Sequence, residues 1–116
     1  MFLRPADARA LYVFAHGAGA GMTHHFMQQL SEQLAGCGVA TLRYQFPYTQ
    51  RGDKRPDPPA VLEAAVRAAI SAGHELAAGA KLIAGGKSMG GRMTSQALAK
   101  HPDPRVAGIA FVGFPL

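Results

Sequence analysis

Four short apolar runs, each separated from the next by a loop and a helical stretch, constrain this chain more than any other feature. They are Leu11-Tyr12-Val13-Phe14-Ala15, Val39-Ala40-Thr41-Leu42-Arg43-Tyr44, Lys81-Leu82-Ile83-Ala84-Gly85 and Val106-Ala107-Gly108-Ile109-Ala110-Phe111-Val112. Each is too short for a helix and rich in β formers. The unbroken apolarity of 11–15 and 106–112 marks strands covered on both faces. Between them lie three helical patterns. Phe26, Met27, Leu30 and Leu34 recur at helical spacing, with Thr23 as N-cap and Gly36 as the C′ stop. Asp57-Pro58 reads as an N-cap with proline in the first turn. The helix that follows carries Val61, Leu62, Ala65, Val66, Ala69 and Ile70 on one stripe and frays near Gly73. A third helix runs from about Met89 to Lys100 and stops before Pro102. The succession predicts an α/β fold, a three-layer α-β-α arrangement around a mostly parallel sheet. Right-handed crossovers leave few topologies, and the ligand crevice of such a sheet lies beyond the carboxyl ends of its strands.

Composition sets the outer limits. At 116 residues and 48% hydrophobic content the chain has room for one domain with a real core and none for two. The lone cysteine, Cys37, excludes an internal disulfide framework and fits a reducing compartment. No run reaches a membrane-spanning length, and the opening Met1-Phe2-Leu3-Arg4-Pro5-Ala6-Asp7 lacks a basic leader followed by an apolar stretch. The expectation is a cytoplasmic protein. Twelve Lys and Arg against seven Asp and Glu give a net charge of +5. Charge alone is a weak pointer to nucleic acid. The cluster Arg51, Lys54 and Arg55 is interrupted by Asp53 and Asp57 and carries no aromatic ladder. A solvated surface or an anionic small substrate accounts for it as well.

Two loops at strand ends can carry chemistry. Gly86-Lys87-Ser88-Met89-Gly90 is a G-x-S-x-G pattern between an apolar strand and a helix, the setting a nucleophile elbow requires. Such a turn holds its serine in a strained backbone conformation, and its flanks approach their neighbours too closely for a Cβ, so Gly86 and Gly90 supply the room. Ser88 would stand above the sheet at a helix N-terminus, where backbone N–H groups favour developing negative charge. The plainer alternative is a Gly-rich β–α turn with a helix-capping serine. The second loop is His16-Gly17-Ala18-Gly19-Ala20-Gly21. It could donate an N–H to the same oxyanion, from Ala18 first or Gly19 next, paired with the N–H of Met89. His16 in this position more often props the loop than acts as a base, and His24 and His25 fall at a helix start, facing solvent or the rim.

The pairing of HGAGAG after one strand with GGKSMGGR after a later one resembles the α/β-hydrolase superfamily, in particular its small dienelactone-hydrolase-like branch. That branch also includes a subunit of a chromatin acetyltransferase complex. Phe26-Met27, Arg43-Tyr44-Gln45-Phe46-Pro47-Tyr48, Arg55-Pro56-Asp57 and Val106-Ala107-Gly108 leading to Gly113-Phe114-Pro115 fit it in order, across residues 8 to 115. The resemblance implies Ser88 as nucleophile of a serine hydrolase acting on an ester or related acyl substrate, with Met89 and the Ala18 region as oxyanion hole. It also implies a sheet in which 39–44 flanks 11–15, followed by 81–85 and then 106–112. Arg43, Tyr48 and Arg92, with His16, are speculative crevice residues. No metal or organic cofactor is implied.

The chain departs from the family in one respect. A hydrolase of this type needs an acid and then a histidine after its serine. Downstream of Ser88 stand only Asp103 and His101, beyond a helix of 12 residues whose far end is about 18 Å from its start. Hydrogen-bond reach is about 3 Å. The family's acid and base come from strands beyond residue 116, so residues 1–116 are expected to be a single truncated domain. The 106–112 strand would then be an open apolar edge, inviting a homodimer. Two rivals remain. Nucleotide binding is weak: Met22 stands where G-x-G-x-x-G needs its third glycine, Arg43 and not an acid ends the second strand, and Lys81 occupies the first glycine position of a phosphate loop. A non-catalytic interaction module on the same fold is the stronger rival.

Overall fold

A computed structural model describes residues 2–5, 8–15, 22–47, 55, 57–87 and 89–112. Strands β1 (Phe2–Leu3), β2 (Ala10–Ala15), β3 (Val39–Tyr44), β4 (Lys81–Lys87) and β5 (Val106–Val112) form one sheet in the order β1-β3-β2-β4-β5. β1 runs antiparallel to β3, and all other neighbours are parallel. The expected order of the four longer strands is the one found. β1 was not foreseen, because two residues carry no readable period.

Three helices among the described residues cover the sheet: α1 (Met22–Gly36), α2 (Pro59–Ala77) and α3 (Met89–Lys100). Side chains alternate across β2 and sort the core into two layers. Leu11, Val13 and Ala15 pack with Leu62, Val66 and Ile70 of α2 and Met93 and Ala97 of α3. Tyr12 and Phe14 pack on the opposite face with Met27, Leu30 and Leu34 of α1. Tyr12 and Phe14 stack with centroids 4.6 Å apart. Tyr12 is 4% exposed, and its hydroxyl crosses β4 to donate to the Ala110 carbonyl of β5 at 2.7 Å. It passes over Gly85, where a Cβ would lie 1.8 Å from that same carbonyl oxygen.

Local expectations need correction at several points. α1 begins at Met22, so Thr23 lies inside it, and Gly36 is its last residue, the positive φ of +81° falling at Gly38. The side chains of His24, His25 and Phe26 lie outside the described residues. α2 is capped by Pro58 with Pro59 at its first position, and Asp57 precedes the cap. The helix does not fray at Gly73; it continues to Ala77 and ends in a left-handed Ala78 followed by Gly79 at φ +90°. Gly73 is buried, and a Cβ there would lie 2.3 Å from Val13 Cγ2. Val61 is 40% exposed, off the buried stripe. β5 is the terminal strand among the described residues and is covered less fully than β2, leaving Ile109 and Phe111 exposed.

Candidate functional site

The parallel strands bring their carboxyl ends to one side of the sheet. Ala15 of β2 is level with Tyr44 of β3 and Gly86 of β4. β4 ends at Lys87 and α3 begins at Met89, so a single position separates strand from helix. So sharp a reversal is possible only because backbone packs on backbone. A Cβ on Gly86 would lie 2.8 Å from the Gly90 carbonyl carbon and 3.0 Å from the Ala15 oxygen. One on Gly90 would meet the Ala15 Cβ at 2.7 Å, and one on Gly91 would meet the Gly86 oxygen at 2.9 Å and the Phe111 ring at 2.5 Å. At each of the three positions at least one contact is closer than a side chain tolerates. The corner therefore requires glycine at 86, 90 and 91. Gly91 escaped the sequence reading, although its doubling with Gly90 was the available signal.

The first turn of α3 starts at Met89 with backbone N–H groups that no helical carbonyl satisfies, and no acidic side chain stands in that turn. An anionic group beyond the carboxyl ends of β4 and β2 would meet a favourable field there. Ala15, the last residue of β2, pairs with Gly86 of this corner at one strand spacing, about 4.8 Å. Ser88 lies outside the described residues, as do His16, Ala18, Gly19 and Tyr48 and the Arg51 and Lys54 members of the basic cluster; Arg55 is exposed.

The remaining candidates do not converge. Arg92 is exposed on α3. Arg43 is 4% exposed and in register with Phe14, which places it on the α1 side of the sheet, away from α3. Its Nη2 donates to Gln28 Oε1 at 2.6 Å, and Gln28 Nε2 donates to Glu32 Oε1 at 3.0 Å. Burial lowers the pKa of this guanidinium, and Glu32 partly offsets that effect. The two downstream candidates for base and acid stand at the far end of α3. His101 is exposed, and the Asp103 carboxylate is engaged by Arg105 at 2.8 Å, the hydrogen bond that does most to lower its pKa.

Two hydroxyls at the corner went unread in the sequence. Thr94 of α3 is 1% exposed, and its Oγ1 lies 2.8 Å from the Gly90 oxygen and 3.3 Å from the Gly85 oxygen. Tyr44 stands at the end of β3, and burial pushes its phenol up to about 12, an effect that Thr94 partly offsets.

No helix among the described residues is long and apolar enough to cross a membrane. No curated protein matches the chain. Residues 8–116 match the family described as alpha/beta hydrolase domain. That match takes in the sheet from β2 to β5, all three helices and the β4–α3 corner, and it covers nearly the whole chain: the protein belongs to the α/β-hydrolase family.

Proposed function

We propose that this hydrolase domain is a serine hydrolase acting on an ester or related acyl substrate through Ser88. The observation that carries the reading is the one-residue reversal between β4 and α3, with glycine demanded on both sides of position 88. Such a corner presents the intervening hydroxyl beside the N-terminus of α3. In the reaction, Ser88 Oγ attacks the acyl carbonyl carbon while its proton passes to a general base. The tetrahedral oxyanion is held by the N–H of Met89 and by that of Ala18 or Gly19. The C–O bond then breaks, the leaving alkoxide takes the proton from the base, and water cleaves the acyl-enzyme by the same path reversed.

The base is neither His101 nor any group paired with Asp103, since 12 helical residues and the Arg105 contact separate them from the corner. On this reading the base and its orienting acid are residues other than His101 and Asp103. The likeness of HGAGAG and GGKSMGGR to the small dienelactone-hydrolase-like branch favours a small ester or lactone. A fluorophosphonate probe tests the assignment in the full-length polypeptide. Stoichiometric labelling mapped to Ser88 and abolished by Ser88→Ala is expected; a folded protein that stays unlabelled sinks it and favours a non-catalytic interaction module. The location of Asp103 is what keeps that second reading in play.

The single thiol, Cys37, is exposed and free, which suits a reducing cytoplasm. β5 pairs only with β4 among the described residues and exposes 41% of Ile109. Its edge is proposed to pair with β5 of a second copy. Sedimentation equilibrium should show a dimer that Ile109→Lys converts to monomer. A wild-type monomer at micromolar concentration would exclude that pairing.

A further inference from the structure

The Thr94 hydroxyl sits where three elements meet at the corner. Threonine in a helix commonly donates back to the carbonyl four residues earlier, and the 2.8 Å contact with the Gly90 oxygen is that bond. A helix back-bond alone would not bring the same oxygen to 3.3 Å from a carbonyl of the neighbouring strand. Gly85, which supplies that carbonyl, lies three residues before position 88, and Gly90 lies two after it. A single proton is thus shared between carbonyls on the two arms of the reversal. Thr94 is 1% exposed, so water does not compete for either contact. Tyr44 adds a third arm. It stands at the end of β3, level with Ala15, with its phenol near enough to Thr94 for that hydroxyl to act on it.

We propose that Thr94 is a positioning residue for the elbow, its hydroxyl clamping the last turn of strand β4 to the first turn of α3 so that the group at position 88 and the amide of Met89 keep a fixed relative geometry. The inference rests on the reading of Ser88 as nucleophile. The glycines let the two arms approach; the hydroxyl fixes how they lie once they have. Misplacement of a reacting group by about 1 Å costs on the order of a hundredfold in rate, so a loosened corner shows in the acylation step before it shows in substrate binding.

The test compares wild type, Thr94→Val, Thr94→Ser and Tyr44→Phe in the full-length polypeptide. The readouts are the second-order rate of fluorophosphonate labelling, the split of kcat and KM on p-nitrophenyl acetate, and the melting temperature. Valine keeps the volume of threonine and removes the hydroxyl. Thr94→Val is expected to remain folded, to label roughly tenfold to a hundredfold more slowly, and to lose kcat with KM unchanged. Thr94→Ser is expected within about threefold of wild type, and Tyr44→Phe between the two, in line with the contribution of one neutral hydrogen bond. Labelling of Thr94→Val at the wild-type rate overturns the proposal whatever happens to its melting temperature, as does failure of Thr94→Ser to recover the rate. If wild type itself takes no label, the nucleophile reading falls and the proposal with it. That result is distinct, because all four proteins then behave alike.

Discussion

Helix α2 holds glycine and alanine at two positions where backbone preference alone would exchange them. At Gly73 the helix interior favours alanine by about 1 kcal/mol. The added Cβ would lie 2.3 Å from Val13 Cγ2 and 3.3 Å from Leu82 Cδ1, however, and Val13 is fully buried. A β-branched side chain has little rotameric freedom with which to yield, and overpacking costs about 1–3 kcal/mol. Packing wins over propensity, so Gly73→Ala should lower the stability by up to a net ~2 kcal/mol. Ala78 is the converse: it is exposed and left-handed at φ 51°, ψ 46°. Ala78→Gly should raise stability by ~0.5 to 1 kcal/mol, the left-handed penalty less the extra freedom gained by the unfolded chain. Urea titration of both variants checks the opposite signs; a gain at 73 would mean that β2 and β4 can shift under the helix. The sequence read Gly73 as a place where the helix weakens because composition reports propensity. The contact with Val13, 60 positions away, is tertiary and leaves no local trace.

At the scale of the strand, β5 is held by more than its ladder with β4. Its Ala110 carbonyl accepts from Tyr12 of β2, a hydroxyl reaching across the intervening strand at the one place, Gly85, where no side chain obstructs it. Tyr12→Phe keeps the stacking on Phe14 and removes this bond, a loss of about 1 kcal/mol. Amide exchange in β5 should accelerate while that of β2 and β3 stays near wild type. Gly85→Ala is the harsher change. A Cβ 1.8 Å from the Ala110 oxygen forces β5 out of register, so β5 should lose protection before the rest of the sheet. Retained protection in β5 of Gly85→Ala would contradict the described pairing. The apolar run 106–112 announced this strand correctly, while its incomplete cover was not visible from the run alone. Unbroken apolarity states what a strand can tolerate on its faces, and the neighbours decide what it receives. The irregularity between Leu82 and Ile83 opposite β5 was equally silent, because register depends on both strands at once.

For the whole molecule, the two faces of the sheet each bury a phenol whose neutral form the fold prefers. Burial raises the pKa of Tyr12 and pushes that of Tyr44 up to about 12, against 10.0 in the unfolded chain. A group whose pKa is raised by folding contributes fully below its unfolded value and loses that contribution as pH climbs through its folded value. Stability should therefore hold up to about pH 10 and decline between there and about pH 12. Tyr44→Phe should flatten the decline, and an unchanged slope in that variant would assign the loss to other groups. The layered architecture and the order of β3, β2, β4 and β5 were legible because alternation of apolar runs and amphipathic stretches is a property of the chain itself. The corner was legible as a pattern through Gly86 and Gly90. Its bracing by Thr94 was not, since that hydroxyl reaches the Gly85 carbonyl only once β4 and α3 have packed together.

One practical consequence follows from the turn between α1 and β3. Cys37 is the chain's sole sulfhydryl, it is exposed, and its carbonyl is gripped by Arg9 Nη2 at 3.0 Å. It sits at the amino end of the sheet, a strand length of about 20 Å from the β4–α3 corner. A maleimide dye attached there would ride on an anchored turn at the opposite end of the sheet from the corner. It could report tumbling and self-association without any cysteine engineering and without crowding the end where acyl chemistry is expected.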